Sequence, residues 1–331
     1  HQPGAWKYNQ DNQLTQYPAQ QNGQTFTTQV LYNAQGQTKK ETNSQNTKTY
    51  QYNAAGRLVH YEETGSASVV QASYRYDPNG RRISKTVAAG GATRTTYYVY
   101  GDSSLLAEMN EQGQMETAYG WNPAERGAPL WGTDPLWQAQ VGGNSLSSPS
   151  TGYHYLHTDQ LGTPQLASDQ TGQMSWRGIS ETFGDTKVDI NSAITMNLRF
   201  AGQYFDGESG LHQNYFRDYR PQAGRYIQRD PIGLDGGINT YAYVMGNPLR
   251  YVDPNGLGPW DKLYGLPKEF WKWLHKEEGG DLMKAYKDPK TGQIPKEDAR
   301  ELYEQWKRSK EGGFADPSLL EGLIAWGFAP S

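Results

Sequence analysis

The sequence contains no cysteine. That excludes disulfides, thiolate nucleophiles and cysteine-ligated zinc, and it leaves the redox compartment open. Long apolar runs are missing as well; none approaches the ~18 residues that a bilayer-spanning helix needs. No signal peptide is legible. Nor is there an excess of either charge. A formal net charge of −4 over 331 residues argues against a generally basic nucleic-acid binder. No Met opens the chain, and His1 stands in mid-pattern, which raises the expectation of a fragment or a processed product. What is abundant is aromatic: 24 Tyr and 10 Trp, most of them before residue 258, where no long helical period occurs. Aromatic rings pack well across pleated sheets, so the expected class is mainly β.

The tyrosines are ordered. Tyr32-Asn33-x-x-Gly36 recurs as Tyr52-Asn53-x-x-Gly56 and as Tyr76-Asp77-x-x-Gly80. A weaker copy opens at Tyr8-Asn9, with Asn12 in the glycine position, and a decayed one begins at Tyr100. The spacings are 24, 20, 24 and 24 residues, a period that signals a repeat architecture. Asn or Asp three residues before Gly suits a β-turn with a positive-φ position. Polar alternating segments such as Thr47–Tyr52 lie between turns. The pattern predicts a long antiparallel sheet of stacked hairpins, each too small to bury its own face. Regularly spaced tyrosines could stack on carbohydrate, but repeat core is the reading adopted.

Residues 119–152 are rich in Trp, Pro, Gly and Ser and read as a loop excursion. His154, His157 and Asp159 lie within six residues, a spacing that invites a metal reading. No matching cluster of ligands occurs elsewhere, so these are taken as strand histidines and no metal is expected. His212, Arg217 and Arg220 are expected in structural roles, such as a buried cation paired with Asp206 or Asp218.

From Tyr215 to Leu257 two similar boxes stand out, Asp230-Pro-Ile-Gly-Leu234 and Asp253-Pro-Asn-Gly-Leu257. The glycines and Asn247-Pro248 between them let the chain fold back. Two carboxylates brought close cannot both ionise easily, and such a pair can work as acid and base on a peptide bond. Arg229 could tune the pair or stabilise an oxyanion. By itself this pattern leaves the alternative open, since Asp-Pro is also an ordinary turn and cap dipeptide.

After Leu257 the composition changes. Residues 258–331 carry 12 basic and 13 acidic side chains in 74 residues, against 19 and 22 in the preceding 257. This doubling of charge density marks a boundary. Pro267-Lys268-Glu269, Pro295-Lys296-Glu297 and Asp316-Pro317 start three amphipathic runs, so a small helical domain is expected. His275 and Glu278, with Glu277 and Asp281, form the one cluster that could do acid–base work there. A solvated helix end is the simpler account. No HExxH, phosphate loop or CxxC occurs in this tail, so no cofactor is expected.

The Tyr-Asn/Asp repeats, together with Thr96–Asp102, Tyr153–Pro164, Arg199–Asp206 and the two Asp-Pro-x-Gly-Leu boxes, resemble Rhs (YD-repeat) proteins and the related toxin-complex C subunits. The resemblance covers about residues 1–257. It implies a YD-repeat scaffold over 1–214 that forms part of a β cage, a core-closing autoprotease segment over 215–257, and a variable toxin domain over 258–331. It also implies that Asp230 and Asp253 form an aspartyl dyad, that Arg229 is the basic residue before the first box, and that the scissile bond is Leu257–Gly258. The implied partners are the chain's own tail inside the cage, a cognate immunity protein, and a secretion spike or chaperone reached through an N-terminal region absent here. Such a product is made in the bacterial cytoplasm and secreted by a type VI or similar route. The alternative is a non-enzymatic YD-repeat surface protein for adhesion or carbohydrate contact.

Overall fold

The computed structural model describes residues 6–21, 23–65, 69–101, 104–122, 133–258, 260–261, 266–267 and 304. The chain divides into two compact units, His1–Pro259 and Trp260–Ser331. Within the second unit, the described residues include a short hairpin, Trp260–Asp261 paired with Leu266–Pro267. The expected helices, and the candidates His275 and Glu278, lie outside the described residues.

In the first unit, sixteen described strands run from Lys7–Tyr8 to Thr186–Val188 and pair antiparallel, each with its sequence neighbour. The connection rule is local because each hairpin is one repeat unit. Asn33, Asn53 and Asp77 show why the turns form. The side-chain Oδ1 of Asn33 accepts from the N–H of Gln35 (3.1 Å) and Gln37 (3.0 Å), and that of Asn53 accepts from Ala55 and Arg57 (both 3.0 Å). Asp77 Oδ1 accepts from Arg81 N–H at 2.8 Å. The third residue after each is a glycine at φ 75–81°, which no L side chain adopts freely. Asn12 takes the same place at φ 59°, as asparagine can. Asn110, Asp159 and Asp169 build the same turn.

Each repeat tyrosine latches the strand before it. The hydroxyls of Tyr32, Tyr52, Tyr76 and Tyr100 donate to the carbonyls of Leu14, Thr38, Leu58 and Arg82, at 3.2, 2.8, 2.7 and 2.8 Å. Every acceptor is the first residue of the preceding strand. Trp121 continues the series with its indole N–H on the Leu105 carbonyl at 2.7 Å. The tyrosines are therefore core residues with a polar handle. The loop expected over 119–152 is corrected in part: Met115–Trp121 and Pro135–Gln140 are paired strands of the sheet.

A second sheet of four short strands follows, Tyr204–Asp206, Leu211–Asn214, Arg217–Arg220 and Arg225–Tyr226. It covers the turn ends of the repeats, with Leu211 and Ile227 packed among Tyr50, Leu58, Tyr61 and Tyr74. Residues 211–214 and 217–220 are buried without alternation, because this sheet is enclosed on both faces. It is anchored by buried charge. Arg82 makes a two-pronged contact with Asp206 at 2.6 and 2.9 Å, Lys85 reaches Asp206 and Glu208, and Arg220 pairs with Glu41. The cations that meet Asp206 are thus Arg82 and Lys85, for which the sequence raised no expectation; the expected pairing of Arg217 or Arg220 with Asp206 or Asp218 is corrected.

Candidate active site

Both boxes are Asx-type turns. Asp230 Oδ1 accepts from Ile232 N–H at 3.1 Å, and Gly233 N–H closes the turn on the Asp230 carbonyl at 3.0 Å. Asp253 follows the two-residue strand Tyr251–Val252 and is almost completely buried. Its Oδ1 accepts from two consecutive amides, Leu257 N–H at 3.0 Å and Gly258 N–H at 3.1 Å. One carboxylate oxygen therefore touches the nitrogen of the Leu257–Gly258 peptide bond.

Asp253 Oδ2 faces the other way. It accepts from the Tyr226 hydroxyl at 2.7 Å and from Arg217 Nη2 at 3.2 Å. Arg217 Nη1 sits 2.9 Å from Asp230 Oδ2. One guanidinium thus bridges the two aspartates, and its Nε donates to the Gly256 carbonyl at 2.5 Å. Nη1 also donates to the Thr240 carbonyl at 3.2 Å, which Asp230 N–H reaches at 2.9 Å. The Tyr226 ring lies 3.7 Å below the guanidinium carbon, a cation–π contact in a dry site. Arg217, Asp230 and Asp253 are all at least 95% enclosed.

The cation of this site is Arg217, which the sequence placed among three side chains with structural roles, and not Arg229. Arg229 is exposed, and its side chain lies against the Gly36 turn rather than between the aspartates. Chain direction explains this: Asp230 points inward from its turn, so its neighbour points out. Nothing in Tyr215–Arg220 marks Arg217 above Arg220, and only the fold separates them. Leu257 and Gly258 are partly exposed, so the bond next to the carboxylate borders solvent.

Electrostatics follow from this packing. With both carboxylates and the guanidinium ionised, the trio carries one net negative charge in a low-dielectric site, and a single proton neutralises it. Burial raises the Asp253 carboxyl above its usual range, outweighing the opposing pull of Arg217, Tyr226 and the two amides. Burial and the charge of Asp253 also push the Tyr226 hydroxyl far up, so it remains a donor.

The other candidates are placed apart. His154 is buried on the face that packs against 193–198, while His157, three residues on, meets Ser168 at 2.9 Å on the opposite face. Asp159 caps its own turn. His212 bonds Gln203 at 2.7 Å, and burial holds its ring neutral.

The architecture defines a β-repeat scaffold closed at its turn ends by a small charged sheet. The chain carries Rhs (YD-repeat) sequence: residues 32–67 match the family model for the RHS repeat and residues 154–189 that for RHS protein. It is 35% identical over 231 residues to the double-stranded DNA deaminase toxin A of Burkholderia cenocepacia, covering 66% of this chain and 16% of that one. It is also 35% identical over 222 residues to the toxin protein Tse5 of Pseudomonas aeruginosa, covering 62% and 17%. The chain thus spans about a sixth of the length of these relatives. Among solved structures, the Photorhabdus luminescens Tc holotoxin pore with a mutated TccC3 superposes on 77% of this chain and 13% of its own, with a TM-score of 0.55 at 20% identity. That likeness is one of fold.

Proposed function

We propose that residues 1–257 are the closing part of an Rhs cage that cuts its own backbone once, between Leu257 and Gly258. The cut frees residues 258–331 as the toxin of a secreted antibacterial effector. The observation that carries the reading is the double contact of Asp253 Oδ1 with Leu257 and Gly258 N–H, with Asp230 held on the far side of the same guanidinium.

The step balances as a hydrolysis. Asp230 takes a proton from water, whose oxygen bonds to the Leu257 carbonyl carbon. Asp253 gives its proton to the Gly258 nitrogen, 3.1 Å from Oδ1, once the amide has lost its double-bond character and can rotate. The C–N bond breaks, leaving a carboxyl on Leu257 and an amine on Gly258. Arg217 keeps the pair together and holds the Gly256 carbonyl, so the bond needs no diffusional encounter. The relatives' names support a toxin context. On this reading the scaffold is what they share, and the tail would carry the individual activity. An immunity protein in the producer and delivery through an N-terminal region by a type VI or similar route belong to the same reading.

Intact-mass measurement tests it. The wild-type chain is expected to yield a fragment beginning at Gly258, and Asp230→Asn or Asp253→Asn is expected to leave one uncut chain. A wild-type chain that stays whole, or variants that are cut equally, would overturn it.

A further inference from the structure

We infer that Tyr226 is a positioning residue for the cut, and that its hydroxyl reserves Asp253 Oδ2 as an acceptor so that the acid proton sits on Oδ1, beside the Gly258 nitrogen. The inference rests on the self-cleavage reading and adds to it the residue that sets which oxygen acts.

The two oxygens of Asp253 have different neighbours. Oδ2 receives the Tyr226 hydroxyl and Arg217 Nη2, both donors that have no reason to yield. Among the described residues, Oδ1 receives the two backbone amides at the cut. A proton on either oxygen displaces a donor: on Oδ2 it would be the tyrosine hydroxyl or the guanidinium, both deep in the site, whereas on Oδ1 it is a backbone amide of the partly exposed segment at the cut, and the proton can be passed on as the amide rotates. The groups facing Asp253 are Arg217 from its strand, Tyr226 from the next, Tyr243 from the following loop, and Asp230 across the guanidinium.

Tyr226 is itself fixed. Its oxygen accepts from Asn214 Nδ2 at 2.7 Å, and the same amide donates to the Asp253 carbonyl at 2.8 Å. Asn214 thus ties the hydroxyl to the backbone of the residue it serves. The ring packs between Arg217 and the tilted Tyr219–Tyr243 pair, meeting both edge-on, so the tyrosine is held in place. Ring and hydroxyl have separable duties: the ring supports the cation and the hydroxyl orients the acid.

Tyr226→Phe separates them, because it keeps the ring and deletes one oxygen. The uncut chain is prepared in denaturant and diluted into buffers across the pH range, and the rate of appearance of the Gly258 fragment is followed. The hydroxyl stabilises the Asp253 anion. Its loss raises the pH at which the acid is spent, and the alkaline limb of the rate profile is expected to move up by about one unit. The plateau rate falls as well, since the proton now also populates Oδ2. A Tyr226→Phe profile that superimposes on wild type, or that drops without moving, would overturn the inference while leaving self-cleavage intact. Absence of cutting in the wild-type chain would instead remove the reading beneath it. Thermal melting of Tyr226→Phe in an Asp253→Asn background reports folding separately.

Discussion

The same four residues, Asp-Pro-Asn-Gly, occur twice in this chain, at 77–80 in a repeat turn and at 253–256 at the candidate cut. Both glycines have φ in the left-handed region, 81° and 72°. Both aspartates bond the amide four residues on, Arg81 N–H at 2.8 Å and Leu257 N–H at 3.0 Å. The surroundings then separate them. Asp77 lies in the outer turn, and its second oxygen pairs with Arg81 at 2.7 Å. Asp253 is enclosed, reaches one residue further to Gly258, and shares its cation with another carboxylate. Burial pushes both carboxyls up. At Asp77 the Arg81 contacts outweigh it and the carboxyl falls below its usual range, whereas at Asp253 burial wins. Local sequence makes the turn, and tertiary enclosure decides whether its aspartate is a cap or an acid.

The shared cation is the sharpest difference, and removing it should have the largest effect. Arg217→Met keeps the volume but leaves Asp230 and Asp253 facing one another in a dry site. Cleavage is expected to vanish, and the fold to lose about 3–5 kcal/mol, the usual cost of leaving a buried charge unpaired. Arg217→Lys should rescue folding in part without rescuing cleavage, because an ammonium cannot span two carboxylates and a carbonyl in one plane. Intact mass and urea unfolding read the two effects. Wild-type cutting in Arg217→Met would mean that the bridge is only structural.

A third aspartate isolates the burial effect. Asp218 lies in the same small sheet, with the Gln228 amide on its Oδ2 at 2.5 Å, and burial raises its carboxyl to about 6. The folded state therefore holds a proton that the unfolded chain releases near the ordinary value of 3.8. Its contribution to stability is full below that pH and is lost as pH rises through about 6. Asp218→Asn removes the titration. In an Asp253→Asn background, which keeps the chain whole, it should gain about 2–3 kcal/mol on its parent between pH 4 and pH 8. Urea midpoints at the two pH values test this, and equal pH dependence in both chains would sink it.

Much of this was legible beforehand. Tyrosine spacing and Asx-x-x-Gly turns give the sheet, because each repeat makes its own hydrogen bonds and needs nothing distant. The turns at Asn110, Asp159 and Asp169 follow the same spacing and could have been found without their tyrosine. Asp230 and Asp253 stood out through their boxes. Arg217 did not, since its partners are 13 and 36 residues away and its strand carries a second arginine three places on. The preference for Arg229 assumed that sequence neighbours act together. In a tight turn, adjacent side chains point in opposite directions.

The glycines extend the comparison to its smallest term. Both substitutions to alanine force a Cβ into a left-handed conformation, which costs about 1 kcal/mol wherever it occurs. What the Cβ meets differs. At Gly80 it would lie 2.0 Å from Arg57 Nη2, the tip of a long side chain that can move aside, giving up its contact with the Tyr215 carbonyl. At Gly256 it would lie 2.5 Å from the Asn214 carbonyl oxygen, which is backbone and cannot move without shifting Arg217 and Tyr226. Gly256→Ala is therefore expected to slow the appearance of the Gly258 fragment at least tenfold, the effect of about 1.4 kcal/mol on a barrier. Gly80→Ala should lower the unfolding midpoint slightly and leave the cleavage rate within about twofold of wild type. Equal slowing in both variants would show that the two turns are mechanically continuous and that enclosure alone does not set them apart.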